Sequence, residues 1–215
     1  MDAAGWNERY AKGQVWSSEP NRFFADAVTS LAMAPARALD LACGEGRNAV
    51  WLAQHGWSVT GVDFSSEGVA RGREGASSLG LEVDWVVTDL ASWTLDDGAW
   101  DLVAHVYLHW PRIEREPFLR RCASAVAAGG ALVVVGHDRD NIEHGHGGPQ
   151  DPDLLTTPDE QAELFAAAGL EVVRAELVYR SITLEPGHGA PSVGDEATSS
   201  VVDAIDHVVV ARRPA

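Results

Sequence analysis

The chain has 215 residues, 46% of them hydrophobic, enough to bury one sizeable core, so a single domain over 1–215 is expected. With 16 basic against 32 acidic residues the net charge is −16, a surface that repels phosphate polymers and anionic membranes and leaves a small molecule as the expected partner. The N-terminus reads as no signal peptide, no apolar run reaches spanning length, and Cys43 and Cys122 suggest neither a disulfide framework nor a zinc site, so a cytoplasmic protein with reduced thiols is expected.

The first segment, 1–30, lies outside any strand pattern and is rich in aromatics. Phe23, Phe24 and Trp6 are expected to pack a helix onto the body of the domain, whereas Tyr10 and Trp16 combine apolar rings with polar tips and suit a lid over a cationic ligand. Ala38 to Ala42 then read as a short buried strand, and Gly44 and Gly46 allow a tight turn with close backbone approach to a ligand. A helix follows over Arg47 to His55, with Gly56 as its stop, and a second strand over Trp57 to Asp63 ends in a carboxylate placed to accept ribose hydroxyls.

This strand, glycine turn, helix and acid-tipped strand form a nucleotide-cofactor unit, and Gly44-Glu-Gly46-Arg-Asn-Ala49 formally satisfies the dinucleotide pattern. A nicotinamide-dependent oxidoreductase is therefore one reading, although the single lysine, Lys12, leaves no evident hydride-handling set. Asp40, just before the turn, suits an ammonium and repels a pyrophosphate, and Glu45 adds negative charge within the turn that suits a sulfonium. A third strand, Glu82 to Asp89, ends in an acid able to accept an adenine amino group. Together these acids favour S-adenosylmethionine.

The fourth strand is expected over Trp100 to Leu108, a helix over Ile113 to Ala128 and a fifth strand over Gly130 to His137. His105, Tyr107 and His109 alternate along strand four and share one side if it stays extended, which makes them candidates for catalysis or for a satisfied polar core. His109, nearest the tip, is the first candidate for a base. His137 and Arg139 follow strand five at its tip as substrate-pocket candidates, and His144 and His146 belong to a glycine-rich loop read as flexible surface with no metal. Thr157 is placed to cap a helix over Pro158 to Ala168, followed by strands over Leu170 to Ile182 and Asp203 to Arg212 around a loop, PGHGAPSVGDEATSS.

DLACGEGRNAVWLA, GVDFS, VVTDL and WDLVAHVYLHW together resemble motifs I to IV of class I S-adenosylmethionine-dependent methyltransferases. WNERYAKGQVWSSEPN and the GRN after the turn are similar to the small tellurite-resistance and thiopurine-type members. The resemblance implies an α/β, Rossmann-like, doubly wound seven-stranded sheet, mostly parallel with an antiparallel last strand, and an N-terminal helical lid over 1–30. It implies cofactor contacts by Asp40, Gly44 and Gly46 at the methionine end, by Asp63 and Phe64 at the ribose, and by Asp89 and Leu90 at the adenine, with Tyr10, Trp16 and Asn21 in the lid. The implied activity is in-line methyl transfer to a small acceptor, either a thiol or other soft nucleophile or a phenol or heterocycle. Asp140-Asn141 resembles the magnesium pair of catechol-type members, whose acid after strand four is missing here. A module that binds S-adenosylmethionine without transferring methyl fits the same motifs.

Overall fold

The computed structural model describes residues 2–184 and 200–215, so the loop expected between the last two strands lies outside the described residues. β1 (Arg37–Leu41), β2 (Ser58–Asp63), β3 (Asp84–Val87), β4 (Trp100–Val106), β5 (Val126–His137), β6 (Glu171–Leu184) and β7 (Ser200–Arg212) form one sheet of order β3-β2-β1-β4-β5-β7-β6. β1 pairs in parallel with β2 and β4, whereas β7 runs antiparallel to both β5 and β6. This is the doubly wound sheet with a reversed last strand that the motifs implied. The order reverses at β1 and β4, where open α/β sheets place ligands beyond the strands' carboxyl ends.

Helices cover both faces. α2 (Arg22–Ser30) and α3 (Arg47–Gln54) bury Phe24, Val28, Ala49 and Leu52 against Val59, Ala104, Val133 and Val208. α5 (Arg112–Ala125) and α7 (Pro158–Ala167) bury Phe118, Leu119, Leu164 and Phe165 against Leu39, Val103, Leu132 and Val209. Strands buried on two faces need near-continuous apolar runs, which accounts for ALVVV in β5 and HVVVA in β7. Thr157 starts α7 in a reciprocal capping box with Glu160. No helix of the described residues is long and apolar enough to cross a membrane.

Several boundaries differ from the sequence-based expectation. β1 stops at Leu41 because Ala42 takes a left-handed φ of 54°, and β4 stops at Val106 because Tyr107 does the same at 55°. β3 ends at Val87, so Asp89 belongs to the following turn. The helix read over 113–128 ends at Ala125, and β5 starts at once with Val126. α4 (Ser66–Ser78), which buries Gly68, Val69, Gly72 and Ala76, carries no expectation from the sequence, whereas α1 (Ala3–Ala11), which packs on α4, falls in the helical N-terminal segment that the resemblance implied. Trp6 lies on α1 and stacks on Tyr10 at 5.5 Å, not on the sheet.

Candidate active site

The turn after β1 is built around two glycines with different duties. Gly44 (φ 55°) donates its N–H to Asp63 Oδ2 at 2.9 Å, and a Cβ there would come within 2.5 Å of the Tyr10 hydroxyl. Gly46 (φ 75°) starts α3 in the left-handed region, and a Cβ there would drive into the Trp85 ring. Gly44 thus lines a cavity at this turn, whereas Gly46 is not part of its wall and packs against Trp85 and Gly72. That corrects the expectation that both glycines approach the ligand.

Two adjoining cavities open at the carboxyl ends of β1, β2 and β4. The smaller, about 120 Å³, is walled by Tyr10, Trp16, Gly44, Arg47, Asp63 and Tyr107. The larger, about 590 Å³, continues past Asp63 and Phe64 to Asp89, Leu90 and Trp110, with Asp2 and Ala3 of the N-terminal segment on its rim. Asp63, Phe64, Ala42 and Leu108 line both. The three acids therefore follow one another along the sheet edge, with Asp40 beneath the turn at one end and Asp89 in the open lobe at the other.

Asp40 is 1% exposed, and its Oδ2 has no hydrogen-bond partner. Burial raises its carboxyl to about 7, more than the Ala49 N–H and the Arg47 guanidinium can offset. Asp63 also titrates above the usual carboxylate range because it is buried, although the Ser65 and Gly44 N–H groups hold its two oxygens. Arg47 stands on the smaller cavity's wall with its guanidinium over the Trp16 ring at 5.6 Å, and no carboxylate forms an ion pair with it among the described residues. An unpartnered buried carboxylate and an unpaired guanidinium near each other match the two ends of an amino-acid zwitterion. The residues present thus fit the methionine moiety of S-adenosylmethionine.

The N-terminal segment lies closed over this site. Glu45 Oε2 accepts the N–H groups of Val15 and Trp16, each at 3.0 Å, and Asn7 Oδ1 accepts the Ser65 hydroxyl at 2.7 Å and the Glu67 N–H at 3.2 Å. Trp16 Nε1 donates to the Tyr10 hydroxyl at 3.3 Å. Glu45 therefore fastens the lid and also lines the smaller cavity. Glu45→Ala should raise amide exchange at Val15 and Trp16 at least about tenfold while leaving β4 and β5 protected, because charge-assisted bonds to both amides vanish. Unchanged protection at those two amides would show that the latch does not hold the lid.

Other candidates fall elsewhere. Asn21 caps α2, its Oδ1 accepting the Phe23 and Phe24 N–H groups and its own N–H donating to Asn48, so it is not on either cavity wall. Arg139 pairs with Glu160 at 2.7 Å on α7, away from both cavities. The residues read as a flexible histidine loop include a helical turn, α6 (Asn141–His144), fastened by Asn141, whose Oδ1 accepts the Ile205 N–H and whose Nδ2 donates to Gly147 O. Asn141 is thereby committed to the backbone, and no group of side chains among the described residues could hold a metal ion.

The left-handed Tyr107 breaks the alternation that placed His105, Tyr107 and His109 on one side. His105 points under α5 toward Phe118, is 4% exposed, and burial pushes its imidazole down to about 4. Burial and the neighbouring His137 push His109 down to about 3, and its Nε2 accepts the His137 N–H at 3.3 Å. The remaining nitrogen of a neutral His109 carries the proton, so this residue is a donor and no longer the leading base. Tyr107 faces the cavity and donates its hydroxyl to Asp206 Oδ2 at 2.6 Å.

Asp206 is the functional residue that sequence reasoning missed. It is fully buried, with Arg180 Nε 2.9 Å from Oδ2 and His137 Nδ1 2.8 Å from Oδ1. Burial opposes its ionisation, but the close approach of the His137 imidazole, the hydrogen bond from Tyr107 and the charge of Arg180 outweigh it and hold the carboxyl below its usual range. The available signal was an Asp-His pair inside the apolar run of β7.

Residues 38–130 match the family described as Methyltransferase domain. A demethylmenaquinone methyltransferase from Thermus thermophilus is 35% identical over 108 residues, a match spanning 49% of this chain and 49% of that protein. The chain thus spans about half the length of that curated relative. Among solved structures, TehB from Haemophilus influenzae superimposes with a TM-score of 0.67 at 17% identity, covering 90% of this chain and 62% of that one. The structure reported for the conversion of a disulfide bond into a thioacetal group during echinomycin biosynthesis reaches 0.71 at 19% identity, covering 99% and 92%. The fold and this domain imply S-adenosylmethionine as the cofactor.

Proposed function

We propose that this chain, which carries the fold and the domain of the class I S-adenosylmethionine-dependent methyltransferases, methylates a small-molecule acceptor. The observation that carries the reading is Asp40 Oδ2, buried without a partner beside an unpaired Arg47. A dinucleotide pyrophosphate would meet that carboxylate with like charge, whereas an α-ammonium restores it to the ionised state. The surface charge of −16 favours a small acceptor over RNA, and the Thermus relative is named for a small-molecule acceptor.

Bound there, S-adenosylmethionine supplies a sulfonium methyl for in-line displacement. Arg47 on the cavity wall and the buried Asp40 would hold its amino-acid end, Asp63 would accept from the ribose, and Asp89 would accept from the adenine amino group. Tyr10 and Trp16 close the smaller lobe and exclude water, and their ring faces favour the positive sulfur.

Calorimetric titration with S-adenosylmethionine and S-adenosylhomocysteine, with NAD as the control, tests the assignment. Micromolar binding of both adenosyl compounds is expected, weakened at least about tenfold in Asp63→Ala, with no heat from NAD. Preference for NAD would reverse the cofactor assignment.

A further inference from the structure

The acceptor side of the site holds an arrangement that cofactor binding does not use. Asp206, wholly buried, sits at the centre, with Oδ2 taken by Tyr107 and Arg180 and Oδ1 facing His137 Nδ1 at 2.8 Å. Neither atom has an aligned hydrogen bond, so the contact is one of ion-pair distance, and the carboxylate favours the imidazole proton on Nδ1 with the Nε2 lone pair directed away. The His137 ring packs against two neighbours, stacked on His109 with centroids 5.3 Å apart and planes 17° apart, and tilted against Tyr107 at 4.9 Å, the two being 6.2 Å from each other. Gly148 passes along its edge so closely that a Cβ would lie 2.7 Å from the ring. His137 Nε2 has no partner among the described residues, and it is not sealed in the core as His105 Nδ1 and both nitrogens of His207 are. Tyr107 links this group to the cavity wall and carries a left-handed backbone that its hydrogen bond to Asp206 helps to hold.

We propose that His137 is the general base for the methyl acceptor, with Asp206 as its positioning residue, and that the acceptor carries a dissociable O–H or N–H. This deepens the methyltransferase reading and rests on it. In the step, the acceptor's X–H bond breaks and its proton passes to His137 Nε2. The freed electron pair forms the bond to the methyl carbon, while the S–C pair returns to sulfur. The imidazolium is stabilised by Asp206 and later loses its proton to water. A thiol acceptor ionises near neutral pH unaided and would have no use for such a dyad. His109 cannot take this part, because its Nε2 already accepts a backbone N–H.

The charged and titratable groups around His137 are Tyr107 and His109 after β4, Arg180 on β6 and Asp206 and His207 on β7, so its tautomer reports this set directly. In the cofactor-free protein, nitrogen-15 imidazole spectra at about pH 8, assigned by His137→Gln, should show His137 protonated on Nδ1 and bare on Nε2, a preference lost in Asp206→Asn. A proton on Nε2, or on both nitrogens, overturns the proposal whether or not any acceptor is turned over. With S-adenosylmethionine and two probe acceptors, catechol and 4-nitrothiophenol, His137→Gln should reduce catechol methylation about 100-fold and thiophenolate methylation less than about threefold, with the cofactor Kd unchanged. Equal loss for both probes, or none for catechol, also overturns it. Failure of the wild-type protein to bind the cofactor would sink the methyltransferase reading separately, since the tautomer is read without it.

Discussion

Replacing Asp40 by asparagine is expected to abolish high-affinity S-adenosylmethionine binding and, at the same time, to raise the melting temperature of the ligand-free protein at about pH 8. Both effects follow from one buried carboxyl, 1% exposed, whose pKa burial lifts to about 7 from an ordinary 3.8. Between those values the unfolded chain gives up the proton while the folded one keeps it, so stability is lost as pH rises through that window. The shift corresponds to on the order of 4 kcal/mol, less whatever a buried amide forfeits by lacking partners of its own. An ammonium beside the carboxylate pulls the pKa back down, so cofactor binding releases a proton below about pH 7 and weakens as pH falls. Calorimetry in buffers of different ionisation enthalpy reads that proton, and differential scanning reads the stability. Tight binding by the asparagine variant with the same pH slope would remove Asp40 from the site.

Gly46→Ala should destabilise the fold by roughly 2–4 kcal/mol, combining a left-handed backbone penalty of about 1–2 kcal/mol with a collision against Trp85. Trp85→Leu in the same chain should recover the steric part and leave the backbone part, which a double-mutant cycle of urea midpoints separates. The cofactor Kd of the folded double variant should stay within about threefold of the Trp85→Leu parent. Weakened binding without destabilisation would return Gly46 to the role of a cofactor contact.

The cofactor half of the molecule was legible because its signals are local. Gly44, Asp63 and the helix between them fall within one strand, turn, helix and strand unit, and the contact from the Gly44 N–H to Asp63 Oδ2 spans only that unit. α4 was not legible for a related reason: its buried face is Gly68, Val69, Gly72 and Ala76, small residues that let Tyr10 and Trp85 approach but leave no apolar period. The acceptor half was misread where one backbone angle decides. Alternation put His105, Tyr107 and His109 together, and with the φ of 55° at Tyr107 His105 turns toward Phe118 while Tyr107 and His109 remain neighbours. Asp206 was out of reach because its meaning depends on Tyr107, 99 residues away, and on Arg180 and His137 from two further strands. Glu45 was placed correctly in the turn, but its partners are the backbone amides of Val15 and Trp16, which no side-chain pattern announces.

The strand order β5-β7-β6 also sets a timetable for synthesis. As the chain leaves the ribosome, β1 to β4 and the glycine turn can assemble while the edge of β5 is still open, because its neighbour β7 is the last strand to emerge. β6 appears earlier but has no place beside β5 and must wait to be carried in as the outer arm of a hairpin. Asp206 lies on β7, so it reaches His137 only after β1 to β5 have been made, and the pair proposed to take the acceptor's proton is the last part of the site to form.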